Sequence, residues 1–198
     1  AYRHVFDVAE NPYNNGKLLY IHGGVATGKT HLIQAVGNYI SEHHTDAKVR
    51  YISIDDFIYE MIGAIRDNNS KEFKQKLLGY DLLLIDNLQF IAGKEATQEE
   101  FFKIISVLLE RDKNVIIAST QPPQAITIMN ERFTSMFELG GVFEIKGPDL
   151  DTRLEILRRR KAEGNYELLD EEISIIAGNT SDNVRELLNA FNRIVPYD

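Results

Sequence analysis

The chain has 198 residues, 43% of them hydrophobic, which is enough to bury one α/β domain with a small helical appendage. Its net charge of -8 argues against coating DNA or a membrane by bulk electrostatics, because such binding needs an excess of Lys and Arg on one face. With no cysteine a disulfide framework is excluded, the apolar runs are too short to span a bilayer, and the N-terminus has no signal-peptide pattern, so a soluble, cytoplasmic protein is expected.

Residues Tyr2 to Glu10 read as a helix fragment, and Asn11-Pro12-Tyr13-Asn14-Asn15-Gly16 as a turn-rich link. Leu18 to His22 is an apolar strand that runs into Gly23-Gly24-Val25-Ala26-Thr27-Gly28-Lys29-Thr30, after which His31 to Ile40 carries helical apolar spacing. A glycine loop between a strand and a helix cradles phosphate oxygens with its N–H groups and with the exposed helix N-terminus. On this reading Gly23 and Gly28 let the backbone turn tightly, Lys29 reaches the β/γ oxygens, and the Thr30 hydroxyl holds Mg²⁺. A nucleoside triphosphate is the ligand implied, and Gly23, Gly24, Val25, Ala26, Thr27, Gly28, Lys29, Thr30 and His31 are the candidate nucleotide-binding residues.

Further along, Lys48 to Ser53 reads as a strand, and Asp56 to Arg66 and Lys71 to Leu78 as helices. Tyr80-Asp81-Leu82-Leu83-Leu84-Ile85-Asp86 is a nearly all-apolar run ending in a carboxylate, as a buried parallel strand with its C-terminal tip at a ligand would be. Asp86 would then face Mg²⁺ from the side opposite the phosphates, usually through water. A helix from Ala96 to Arg111, a strand from Asn114 to Ser119, a break at Pro122-Pro123, a short helix near Glu131 and a strand from Gly141 to Ile145 follow. The alternation predicts right-handed crossovers and a five-stranded parallel sheet.

Beyond Pro148 only helices are expected, at Asp149 to Ala162, Asp170 to Gly178 and Asp182 to Ile194, each opening with an acidic residue that suits the helix dipole. The expected organisation is a nucleotide-binding α/β core over residues 1–147 and a three-helix lid over 148–198. The basic run Arg158-Arg159-Arg160-Lys161 lies inside a helical pattern and reads as a solvated face.

Several motifs together resemble the P-loop AAA+ domain of the bacterial replication initiator DnaA and its close paralogues. They are Gly-Gly-Val-x-x-Gly-Lys-Thr-His-Leu at 23–32, Ala64-Ile65-Arg66-Asp67-Asn68, Leu83 to Phe90 running into Ala92-Gly93-Lys94-Glu95, Gln98 to Phe102, Pro148 to Arg153, and Asn183-Val184-Arg185-Glu186-Leu187. The resemblance implies an ATP/ADP switch in which nucleotide state controls self-assembly into a filament on single-stranded or origin DNA. By position Arg185 looks like the lid arginine that senses the γ-phosphate, and Ile62, Lys94 and Thr97 match the positions that contact single-stranded DNA. Arg132 could contact the neighbouring subunit.

Departures from the family pattern bear on mechanism. Asn87 stands where a second acid normally polarises the attacking water, and an amide cannot take that proton, a loss of roughly 10²–10⁴ in rate. Lys29, Asp86 and a degenerate Asn87 are thus the candidate catalytic set. Met136 stands where the family carries its trans-acting arginine finger, which in such enzymes is worth about 10³–10⁵ in turnover. Ala96 replaces a basic residue, and Thr120 an acidic one at the tip of the fourth strand. The chain also begins inside the helix that follows the family's adenine-contacting segment, and stops before any helix-turn-helix domain. Two readings result: an initiator core that hydrolyses ATP slowly, or a nucleotide-binding regulator, adaptor or helicase loader that docks on other replication proteins and hardly turns over.

Overall fold

The structure is a computed structural model describing all residues except 1, 14, 15, 127–134, 138, 139, 182 and 196–198. The expected short helix near Glu131 and the candidate contact Arg132 fall outside the described residues.

The described chain forms two compact units, one made of Ala1–Gly23 and Lys29–Glu144, the other of Gly24–Gly28 and Ile145–Asp198. In the first unit the order is α1 (Tyr2–Glu10), β1 (Leu18–His22), α2 (Lys29–His43), β2 (Val49–Ser53), α3 (Ile54–Arg66), α4 (Ser70–Leu78), β3 (Leu82–Asp86), α5 (Glu95–Glu110), β4 (Asn114–Ser119) and β5 (Val142–Glu144). The five strands make one parallel sheet in the order β2-β3-β4-β1-β5, as the alternation of strand and helix patterns predicts. Every residue of β3 and β4 is buried, which explains why both read as apolar runs rather than as alternating strands.

Register decides what the sheet can present. Ser53 pairs with Asp86, and His22 pairs with both Ser119 and Glu144, so the C-terminal residues of the strands line up along one edge. In open parallel sheets that edge is where ligands bind.

The core on one sheet face is built on aromatic contacts. Phe101 of α5 meets Phe57 of α3 edge-on at 5.2 Å and Phe102 at 5.2 Å, and Phe102 meets Phe137 at 5.8 Å. Edge-to-face geometry sets the positive ring edge against the negative face of the neighbour. Helix α3 is started by Ser53, whose hydroxyl accepts from the Asp56 N–H at 3.1 Å. Gly140 has no alternative: a Cβ there would lie 2.4 Å from the Leu18 carbonyl oxygen.

The second unit holds α6 (Leu150–Glu163), α7 (Asp170–Asn179) and α8 (Val184–Ile194) around Leu157, Ile173, Leu187 and Phe191. Asp149 caps α6 by accepting from the Thr152 N–H at 2.9 Å, and Asn183 caps α8 by accepting from Arg185 and Glu186 N–H. Arg158, Arg159 and Arg160 are exposed on α6.

Because Phe101 is fully buried among rings, Phe101→Ala is expected to cost the first unit about 3–5 kcal/mol through lost transfer energy and the cavity left behind. Urea unfolding followed by far-UV circular dichroism measures it.

Candidate nucleotide and metal site

The chain leaves the sheet edge at Gly23 and re-enters the first unit at Lys29, the first residue of α2. Lys29 is only 7% exposed although it carries an ammonium. Its Nζ donates to the Gly23 carbonyl oxygen at 2.9 Å, so the two ends of the loop are tied across six residues. Burial pushes the Lys29 pKa below its ordinary value, and the nearby charge of Asp86 opposes that shift.

Asp86, at the tip of β3, is 2% exposed and held through both carboxylate oxygens. Oδ2 accepts from the Thr30 hydroxyl at 2.6 Å and from the Tyr51 hydroxyl at 3.1 Å, while Oδ1 accepts from the Asn87 N–H at 2.8 Å. A buried carboxylate needs such donors to offset desolvation. Tyr51 is pushed up to about 12, by burial first and then by the Asp86 charge, so its hydroxyl stays a donor at neutral pH.

The donor set suits magnesium. Thr30 Oγ1 and Asp86 Oδ2 are hard oxygens brought together from α2 and β3, and Mg²⁺ is typically held by one or two protein oxygens together with substrate phosphates and water. No group of three or more His, Cys, Asp or Glu that could form an all-protein metal cage occurs among the described residues.

The loop itself, Gly24–Gly28, belongs to the second unit. The left-handed turns fall at Ala26, φ 58°, and Gly28, φ 95°. Gly23 is not among the positive-φ positions, so the turn is made at Ala26 and Gly28 rather than at Gly23. Thr27 Oγ1 donates to the Gly24 carbonyl at 3.1 Å, and the Val184 N–H donates to the Ala26 carbonyl at 3.1 Å. The second bond sets the N-terminus of α8 on the loop, with Arg185 exposed one residue along. Val25 and His31 are exposed.

The other candidates scatter by role. Asn87 adopts φ 60°, ψ 37°, and its Oδ1 accepts weakly from Gln89 Nε2 at 3.4 Å. Ile62 is 56% exposed on α3, Lys94 is exposed just before α5, and Thr97 is half-buried in the first turn of α5. Met136 is partly buried against the core, where its sulfur takes a long contact of 3.9 Å from the Ser106 hydroxyl.

Two contributors escape sequence reasoning. Tyr51 looks like a surface aromatic on a short strand. Gln89 lies in the turn Leu88–Ile91, where its Oε1 accepts from Ser119 Oγ at 3.3 Å and from the Thr120 N–H at 3.1 Å, joining the tips of β3 and β4. The available signal is spacing alone: Gln89 follows the acidic strand tip by three residues, and Tyr51 pairs with Leu84, two residues before it.

The family model described as the bacterial DnaA ATPase domain matches residues 1–144. Among solved structures the chain is similar to domain III of the replication initiation protein DnaA from Thermotoga maritima, with 34% identity and a TM-score of 0.90 over 98% of this chain and 80% of that one. It is similar to AMPPCP-bound DnaA from Aquifex aeolicus, with 38% identity and a TM-score of 0.85 over 98% of this chain and 60% of that one. A third match is a replication initiator DnaA bound to AMPPCP and single-stranded DNA, at 38% identity and a TM-score of 0.87, covering 98% of this chain and 59% of that one. The chain thus spans somewhat more than half the length of the two larger structures.

Thr30→Val removes a donor from a buried carboxylate at nearly constant volume, and is expected to lower nucleotide-free stability by about 1–3 kcal/mol, with Thr30→Ser retaining most of it. Chemical denaturation of the three proteins tests this. Lys29 supplies a pH signature. Between its depressed pKa and the ordinary 10.5 the unfolded chain binds more protons than the folded one, so folding stability rises with pH across that window. Below the window the cost of burying the charge is constant. Denaturation midpoints collected against pH are expected to show this rise, and Lys29→Met to lack it.

Proposed function

The chain belongs to the family of bacterial DnaA ATPase domains, and on that footing we propose that it is an adenine-nucleotide-binding switch with Mg²⁺ as cofactor. The observation that carries the reading is the Thr30–Asp86 pair at 2.6 Å beside the buried Lys29 ammonium, at the carboxyl edge of a parallel sheet. Residues 1–147 act as core and 148–198 as lid, with Arg185 sensing the γ-phosphate. The N-terminal end of α8 is well suited to that role, because Val184 already bonds the loop at Ala26.

The preferred reading is an initiator core that assembles with its own kind on origin DNA in the cytoplasm and hydrolyses ATP slowly. Ile62, Lys94 and Thr97 are its contacts to single-stranded DNA, a small set that gains strength by repetition along a filament. Arg132 is the contact to the neighbouring subunit. The second reading, a regulator, adaptor or helicase loader with little turnover, is favoured by two observations. Residue 87, next to Asp86, is an amide rather than an acid and bonds Gln89, and Met136 is packed against the core.

Calorimetric titration with ATP and ADP in magnesium tests the shared premise, and Lys29→Ala is expected to abolish the heat. No heat from the folded wild type overturns the proposal. In the same preparation, ATP-dependent binding of a single-stranded oligonucleotide selects the initiator, and its absence alongside tight nucleotide binding selects the regulator. Asn87→Asp is expected to raise turnover roughly 10²–10⁴-fold by restoring a proton acceptor, read as phosphate release. Combined with Met136→Arg, it tests whether the missing groups account for the slow rate; an unchanged rate removes that account.

A further inference from the structure

Tyr51 is placed unusually for an aromatic that touches a catalytic carboxylate. It lies on β2, an edge strand of the sheet, and is 41% exposed. Beside it runs an open groove of about 400 Å³ lined by Gln34, Asn38, Ser41, Val49 and Leu84. Packing therefore leaves one side of the ring without support. A polar contact fixes it instead: the hydroxyl donates its single O–H proton to Asp86 Oδ2 at 3.1 Å.

Asp86 Oδ2 is shared between Tyr51 and Thr30. Thr30 is also the hydroxyl that suits the metal, so its hold on Asp86 competes with its second task. Tyr51 has no such second task. We infer that Tyr51 is a positioning residue that fixes the Asp86 carboxylate for Mg²⁺ while the Thr30 hydroxyl is free to serve the metal. The inference rests on the nucleotide-binding reading above and deepens it. Partners that orient a ligating carboxylate are typically worth 10–100-fold in metal affinity.

The test is the Mg²⁺ dependence of nucleotide binding, followed with a fluorescent ATP analogue in the wild type and Tyr51→Phe. The phenylalanine variant keeps the ring and removes only the hydroxyl. Its Mg²⁺ midpoint is expected to rise about 10–100-fold, with nucleotide affinity in EDTA unchanged. A midpoint within twofold of wild type overturns the inference. A loss of affinity that is equal with and without Mg²⁺ also overturns it, because that pattern marks a general structural role. A wild type that binds no nucleotide would instead sink the functional reading, so the two failures are distinct.

Discussion

The site is organised by one constraint: a carboxylate 2% exposed at the tip of a fully buried strand must keep its charge. Three donors, Thr30, Tyr51 and the Asn87 N–H, meet that need, and they come from α2, β2 and the turn after β3. Tyr51 reaches Asp86 only if the parallel register is held, since Ser53 must stand beside Asp86 for Tyr51 to lie two residues back on the same face. A slip of one residue would turn Tyr51 away and strand the charge. The polar site and the sheet register therefore enforce each other. The apolar runs of β3 and β4 supply the burial that makes the enforcement strong.

Much of this was legible because each element announces itself by a physical signal of short range. The apolar runs 82–86 and 114–119 can satisfy their side chains only between two covered faces, and both are central strands. Helices α3, α6 and α8 begin beside Ser53, Asp149 and Asn183, residues whose side chains can accept orphan N–H groups. The loop, Lys29, Thr30 and Asp86 stand out in the sequence because phosphate and magnesium chemistry calls for those types in that order, and the fold brings Lys29, Thr30 and Asp86 together.

What was not legible depends on distant approach. Tyr51 and Asp86 are 35 positions apart, and only the pairing of β2 with β3 gives the tyrosine its role. Gln89 reaches Ser119 and Thr120 across 30 and 31 positions. The grouping of Gly24–Gly28 with the C-terminal helices includes the bond from Val184 to Ala26, which no local pattern encodes. Local chemistry fixes the elements, whereas the second ring of contacts around the site follows from register.

The left-handed backbone at Asn87 places the turn that joins the two strand tips. A residue at φ 60° is tolerated by Asn, whose short polar side chain can bond locally, and here Asn87 Oδ1 accepts from Gln89 Nε2 at 3.4 Å. The other end of the same amide, Gln89 Oε1, accepts from Ser119 Oγ at 3.3 Å and from the Thr120 N–H at 3.1 Å. One side chain thus uses both its donor and its acceptor, and the turn after β3 is tied to the tip of β4 without adding a charge beside the buried Asp86.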